Sequence, residues 1–181
     1  DRLNFATAEY RFPHQELVLT RNSIYGNVAV TRLTNQFSFY ENGLFLSADH
    51  DDLFNEHLVH IPLLYHPNPK RILLIGGGFN GALVEILKHN PESVDYVELD
   101  AQLLNTAGPF CRPTISAALD DRRVRLIPQD GRSFVKQMDP GTRYDVVIVN
   151  LPNPGTLMIN RFYTGEFFRE IRSHLEKDGL F

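Results

Sequence analysis

Three glycines and one acid carry the first chemical signal in this chain. Gly76, Gly78 and Gly81 fit G-x-G-x-x-G, in which the first glycine permits a tight turn, the second lets a ligand approach the backbone, and the third lets a helix pack closely on a strand. The helix expected next, over 81–89, points its first N–H groups at the turn. Glu98 lies about twenty residues past the middle of the turn, where an acid accepts hydrogen bonds from ribose hydroxyls. Further on, Asp130 can accept from an adenine amino group, Gly131 starts a helix, and Asn150-Leu151-Pro152-Asn153-Pro154-Gly155 forms a polar loop. Structural roles stay open beside these: a plain tight turn, a loop-stabilising acid at Glu98, a helix N-cap at Asp130, and a proline-stiffened loop at 150–155. Together the residues point to a nucleoside site.

Such a site needs strands that deliver these residues to one edge. From Arg71 the pattern alternates strand and helix, with strands at 71–75, 94–98, 123–127 and 144–149 and helices at 81–89, 101–107, 131–138 and 165–177. Alternation of this kind predicts a parallel α/β sheet, and the residues named above all follow a strand, at the ligand-binding carboxyl edge. Gly179 is expected to cap the last helix, with Leu180 and Phe181 starting another strand.

Upstream, residues 1–15 read as an irregular arm. Short runs at 16–20, 27–33, 36–40 and 44–47, rich in Val, Thr, Phe and Leu, predict an antiparallel β-meander, with Asn42-Gly43 as its strongest hairpin signal. A helix follows from Asp51 to about Tyr65, closed by Pro67 and Pro69. Its Asn55 is placed either against a ligand or in solvent. Glu56, His57 and His60 lack the H-E-x-x-H pattern and a third ligand nearby, so no metal is expected. The division expected is a β-meander domain, 1–50, and a Rossmann-like nucleoside-binding domain, 51–181, incomplete at its C-terminal end.

Composition narrows the function classes. The 181 residues are 43% hydrophobic and 22% charged, ordinary for a globular protein, and no window approaches the roughly 18 consecutive apolar residues of a membrane span. A net charge of −4 without a basic stripe argues against nucleic acid. The lone Cys111 excludes an internal disulfide framework and suits a reducing, cytoplasmic setting. Without an initiator Met at Asp1, the chain reads as a fragment of something longer.

The chain resembles the spermidine synthase family, the polyamine aminopropyltransferases, from about Ser23 to Phe181. The resemblance rests on Ser23-Ile24-Tyr25-Gly26, Asn42-Gly43, Glu56-x-x-x-His60-x-Pro62-Leu63, His66-Pro67-Asn68-Pro69-Lys70-Arg71, Gly76-Gly77-Gly78, Val97-Glu98-Leu99-Asp100, Asp130-Gly131 and Tyr163-Thr164-x-Glu166-Phe167-Phe168. It implies a small β domain before a methyltransferase-like Rossmann domain. It also implies decarboxylated S-adenosylmethionine as the co-substrate whose aminopropyl group passes to an amine, with Gly76, Gly77, Gly78, Gly81, Glu98, Asp130, Gly131 and Asn55 on the cofactor side. No catalytic residue is assigned. Phe79, Asn150 and Asn153 stand where the family has acids, Asn80 where it has a glycine, and Gly26 where it has a glutamine. A homodimer is implied, as is attachment of some members with the Asn160-Arg161-Phe162-Tyr163-Thr164 segment to a membrane region outside this chain.

Three readings follow. The first is an aminopropyltransferase-like enzyme using decarboxylated S-adenosylmethionine or a related adenosyl-sulfonium donor. Another is a non-catalytic nucleoside-binding or regulatory module on the same fold. An S-adenosylmethionine-dependent N-methyltransferase is the third, because Asn150-Leu151-Pro152-Asn153 distantly resembles the Asn-Pro-Pro-aromatic loop of amino-methyltransferases. A nicotinamide dehydrogenase is disfavoured by Asp130-Gly131.

Overall fold

The computed structural model describes residues 9–49 and 51–181. Of the irregular arm expected over 1–15, residues 1–8 lie outside the described residues, and residues 10–15 form turns and bends. Strands β1 (Glu16–Asn22), β2 (Asn27–Leu33), β3 (Gln36–Glu41) and β4 (Leu44–Ala48) then form an antiparallel meander in that order. At the two-residue turn between β3 and β4, Asn42 and Gly43 both take positive φ, 53° and 79°. That is the type I′ geometry whose twist matches the flanking strands. The Asn42 side chain secures the turn by accepting from the Asn27 N–H at 3.0 Å.

Helix α1 (Asp52–Tyr65) leads into β5 (Arg71–Ile75) of a second, five-stranded sheet. The chain then runs through α2 (Ala82–Lys88), β6 (Ser93–Glu98), α3 (Ala101–Ala107), α4 (Pro113–Leu119), β7 (Val124–Pro128), α5 (Gly131–Gln137), β8 (Tyr144–Val149), α6 (Leu157–Asn160), α7 (Gly165–Arg172) and β9 (Leu175–Leu180). The sheet is parallel with order β7-β6-β5-β8-β9. Successive strands spread one way from β5 and then the other, so a crevice opens between the ends of β5 and β8.

Both faces of the sheet's centre are covered, which is why β5 and β8 are predominantly apolar. Ile72 and Leu74 pack under α1 and α2 with Val59, Leu63, Leu83 and Ile86. Leu73 and Ile75 face the opposite way, against Val135, Phe167 and Ile171. A third cluster joins the two sheets, placing Val28, Val30 and Phe39 of the meander against Phe79, Leu103 and Ala107.

Two expectations need correction. The helix expected over 165–177 ends at Arg172, and Leu175–Leu180 is β9, so Gly179 lies inside a strand rather than capping a helix. The open side of β8 offers backbone partners: Tyr144 N–H donates to the His174 carbonyl, and Tyr144 and Val146 pair with Leu175 and Leu180. This pairing overrides the local preference of Leu175-Glu176-Lys177 for helix. Two short helices also went unpredicted. Pro113 starts α4 at a position where its missing N–H costs nothing, and Thr156 caps α6 by accepting from Ile159 N–H. Among the described residues no helix is long and apolar enough to cross a membrane.

One side chain locks the entry to the central strand. Asp145 Oδ2, on β8, accepts from the N–H groups of Lys70 and Arg71 at 2.8 and 2.7 Å. Replacing it by alanine removes two charge-assisted bonds to backbone. Asp145→Ala is therefore expected to lower unfolding free energy by about 2 kcal/mol in urea titration, with the m-value unchanged.

Candidate functional site

A cavity of ≈ 690 Å³ opens at the carboxyl edge of the parallel sheet. Its floor is Gly76, Gly77, Phe79 and Asn80 after β5, with Glu98 at the end of β6. Asn150, Leu151, Pro152 and Asn153 form one wall. The facing wall comes from outside the sheet: Glu41, Leu44, Phe45 and Leu46 of the meander, then Asp51 and Phe54 at the start of α1.

The glycines serve neighbours inside the protein as much as any ligand. Gly76 and Gly77 have φ of 75° and 64°, a conformation that costs other residues about 1 kcal/mol or more. A Cβ on Gly76 would lie 2.7 Å from the Asn150 carbonyl oxygen, and one on Gly77 would lie 2.2 Å from Asn150 Nδ2. Gly78, expected to admit a ligand to the backbone, instead makes room for the Tyr96 ring, 2.6 Å from its missing Cβ. Gly81, with φ of 116°, abuts the Asn55 carboxamide. The close packing expected there is against the side chain of α1.

Glu98 is the acid that the sequence pattern put at the ribose, and it does line the cavity while only 8% exposed. Its Oε2 accepts from the Tyr96 hydroxyl at 2.8 Å. Burial pushes its carboxyl up to about 7, with the Tyr96 hydroxyl pulling the other way and the Glu41 charge adding to the rise. Tyr96, fully buried, is held well above the usual phenol range by burial and by Glu98, so it donates and does not ionise.

The other expected site residues are placed differently. Asp130 caps α5, with Oδ1 accepting from Ser133 N–H at 2.9 Å and from Ser133 Oγ at 2.8 Å, while Oδ2 pairs with Arg161. Gly131 packs beneath, its missing Cβ 2.6 Å from Ile75. Neither is part of the cavity wall. Asn55 is neither solvated nor at the wall: it is 1% exposed and donates to the carbonyls of Asp51 at 2.8 Å and Asn80 at 2.9 Å, tying α1 to the glycine turn. Phe79 stacks edge-on against Phe39, centroids 5.6 Å apart, and joins the two sheets. The Cys111 thiol sits near the carbonyls of Phe79 and Ala107, and burial pushes it up to about 11, which removes it as a nucleophile.

Sequence reasoning missed the meander's contribution. Glu41 immediately precedes Asn42-Gly43, and a hairpin turn beside an acid was the available signal. Asp51, expected as the first residue of the helix, sits just before α1 and does not cap it through its side chain.

Comparison with known proteins fits this geometry. The family model for the spermine/spermidine synthase domain matches residues 51–181. The chain belongs to the spermidine synthase family. A polyamine aminopropyltransferase of Moorella thermoacetica is 33% identical over 99% of this chain and 59% of its own length. One of Pyrobaculum calidifontis is 30% identical over 99% of this chain and 60% of its own. Among solved structures, a spermidine synthase in complex with the transition state analogue AdoDATO superposes with TM-score 0.81 at 26% identity. Spermidine synthase from Thermotoga maritima does so with 0.79, also at 26%. Each match covers 91% of this chain and 56% or 55% of the other. The chain thus spans a little over half the length of these relatives. The four-stranded meander followed by a Rossmann-like parallel sheet is the fold the resemblance implied.

The raised Glu98 carboxyl has a sign for stability. Its folded value of about 7 exceeds the ordinary 4.5, so the folded state holds the extra proton between them. Stability from this group is complete below about 4.5 and is lost as pH rises through about 7. Glu98→Gln keeps an acceptor for Tyr96 without the buried charge. Its Tm should exceed that of the wild type by roughly a few degrees at pH 8, and the difference should shrink toward pH 5.

Proposed function

We propose that this chain carries the adenosyl-binding part of an aminopropyltransferase that uses decarboxylated S-adenosylmethionine and an amine acceptor. The observation that carries the proposal is Glu98, buried at the end of β6 and facing a cavity floored by Gly76 and Gly77 at the β5/β8 crevice. Its carboxylate accepts from the ribose hydroxyls, and the apolar Leu44 to Leu46 wall encloses the nucleoside. Family membership and the relative solved with AdoDATO support the same donor. Asp130-Gly131 is proposed to border the adenine, with Asp130 already committed to Ser133 and Arg161.

In the transfer, an amine nitrogen attacks the aminopropyl carbon bonded to the sulfonium. The C–S bond breaks, its electron pair stays on sulfur, and methylthioadenosine leaves. Catalysis is then mainly positioning, in which nitrogen and carbon are held in line within the cavity. Asn150 and Asn153 orient polar groups by hydrogen bonding but cannot act as general bases near neutral pH. That neutrality favours a second reading, a nucleoside-binding module without turnover. A homodimer belongs to the proposal, supported by Leu53, Ile61, Leu64 and Tyr65, which α1 leaves exposed. The proposed setting is cytoplasmic.

Calorimetric titration with decarboxylated S-adenosylmethionine, S-adenosylmethionine, methylthioadenosine and NAD tests the donor. The decarboxylated donor and methylthioadenosine should bind, each at least roughly tenfold more weakly in Glu98→Ala. Preference for intact S-adenosylmethionine would favour methyl transfer. Binding of none by the folded protein would end the adenosyl reading. Release of methylthioadenosine in the presence of an amine separates an enzyme from a binding module.

A further inference from the structure

The cavity's charge is one-sided. Its ionisable wall residues are Glu41, Asp51 and Glu98, and no described Lys, Arg or His lines it. The loop wall, made by Asn150 and Asn153, carries no charge, nor do Phe79 and Asn80 on the floor. Two of the three acids therefore stand on the opposite wall, one at the end of β3 and the other just before α1.

Among the described residues neither of these two carboxylates has a hydrogen-bonding or ion-pair partner. Three acids described above are partnered: Asp130 has Arg161, Asp145 has backbone N–H groups, and Glu98 has Tyr96. Asp51 makes no side-chain hydrogen bond to its own helix, and the charge felt most at its carboxylate is the like charge of Asp52. Glu41 is partly buried and feels the like charge of Asp100, while its own charge raises Glu98. Among the described residues neither is in an ion pair. Half-buried carboxylates beside like charges are costly, and a cation entering the cavity relieves that cost.

An independent observation shows that the cavity expects a polar ligand. Asn80 lines it at 4% exposure; its Oδ1 has one long contact, 3.4 Å from the Ala82 N–H, and its NH₂ donates to no described residue. Asn150 Nδ2 is fully buried and has no partner among the described residues. Unsatisfied buried donors are uncommon in folded proteins and cluster where a ligand completes them. The wall thus offers neutral donors on one side and bare negative charge on the other.

We infer that Glu41 and Asp51 are specificity-determining residues that hold the positive charge of the adenosyl ligand's tail, from the meander and α1 side of the cavity. The inference rests on the adenosyl reading above and goes beyond it by assigning charge recognition to residues outside the parallel sheet. The ligand class is an adenosyl sulfonium whose tail ends in an ammonium. The neutral thioether left after transfer loses this attraction, which makes the product the weaker ligand and aids its release.

The test compares two ligands that share the nucleoside and differ in charge. Wild type, Glu41→Gln, Asp51→Asn and the double variant are titrated with decarboxylated S-adenosylmethionine and with methylthioadenosine at one ionic strength. Each single substitution should lower the preference for the cationic ligand by roughly tenfold, and the double variant by more. Methylthioadenosine should bind all four proteins within about twofold, or somewhat more tightly where Glu41 is neutral and Glu98 is relieved of its charge. That retained binding also shows that the variants are folded. An unchanged preference overturns the inference, and so does equal weakening of both ligands, which would mark the two acids as structural. If wild type binds methylthioadenosine but the preference does not move, only this inference falls. If wild type binds neither ligand, the adenosyl reading falls and takes the inference with it.

Discussion

The contact on which the site depends is the approach of the loop after β8 to the glycine turn after β5. Asn150 N–H donates to the Ile75 carbonyl at 2.9 Å, and the Asn150 backbone and side chain then pass through the space that Cβ atoms on Gly76 and Gly77 would occupy. Only glycine tolerates both the positive φ and that proximity. The consequence is geometric. With these two segments closed on each other, the crevice at the switch in strand order has a floor, and Glu98 on the neighbouring strand is turned into the space above it.

A second dependence runs between the two sheets. Phe79 leaves the glycine turn and packs on Phe39, while Asn55 of α1 donates to the Asn80 carbonyl in the same turn. The turn is thereby held by the meander on one side and by α1 on the other. All three units line the cavity, so the meander is part of its wall. At Phe79, where the family resemblance expects an acid, the chain uses the position for packing, and the negative charge of the cavity lies instead on the elements that Phe79 helps to dock.

The electrostatics follow from burial. Glu98 has one strong donor, Tyr96, and Gly78 is small so that the Tyr96 ring fits beneath the turn. A carboxyl so enclosed resists ionisation, and Glu41 nearby adds to that resistance. Burial therefore holds Glu98 toward its neutral form, a perturbation of the kind functional sites often show.

The sequence by itself determined the parallel sheet, the meander and the position of Glu98. These are recorded in local signals: apolar strands covered on both faces, Asn42-Gly43 for a turn needing two positive φ values, and an acid at a fixed separation from a glycine turn. Only the tertiary structure decided what the remaining candidates do. Asn55 became an internal clamp because Asn80 lies opposite it, and Asp130, capping α5 through Ser133, was drawn into an ion pair because Arg161 reaches it from just beyond α6. Leu175–Leu180 became a strand because β8 had an open side. Glu41 and Asp51 reached the cavity because the meander folds over the sheet edge. Each of these outcomes depends on a partner far away in sequence, and side-chain roles set by such partners leave no periodic trace in the chain.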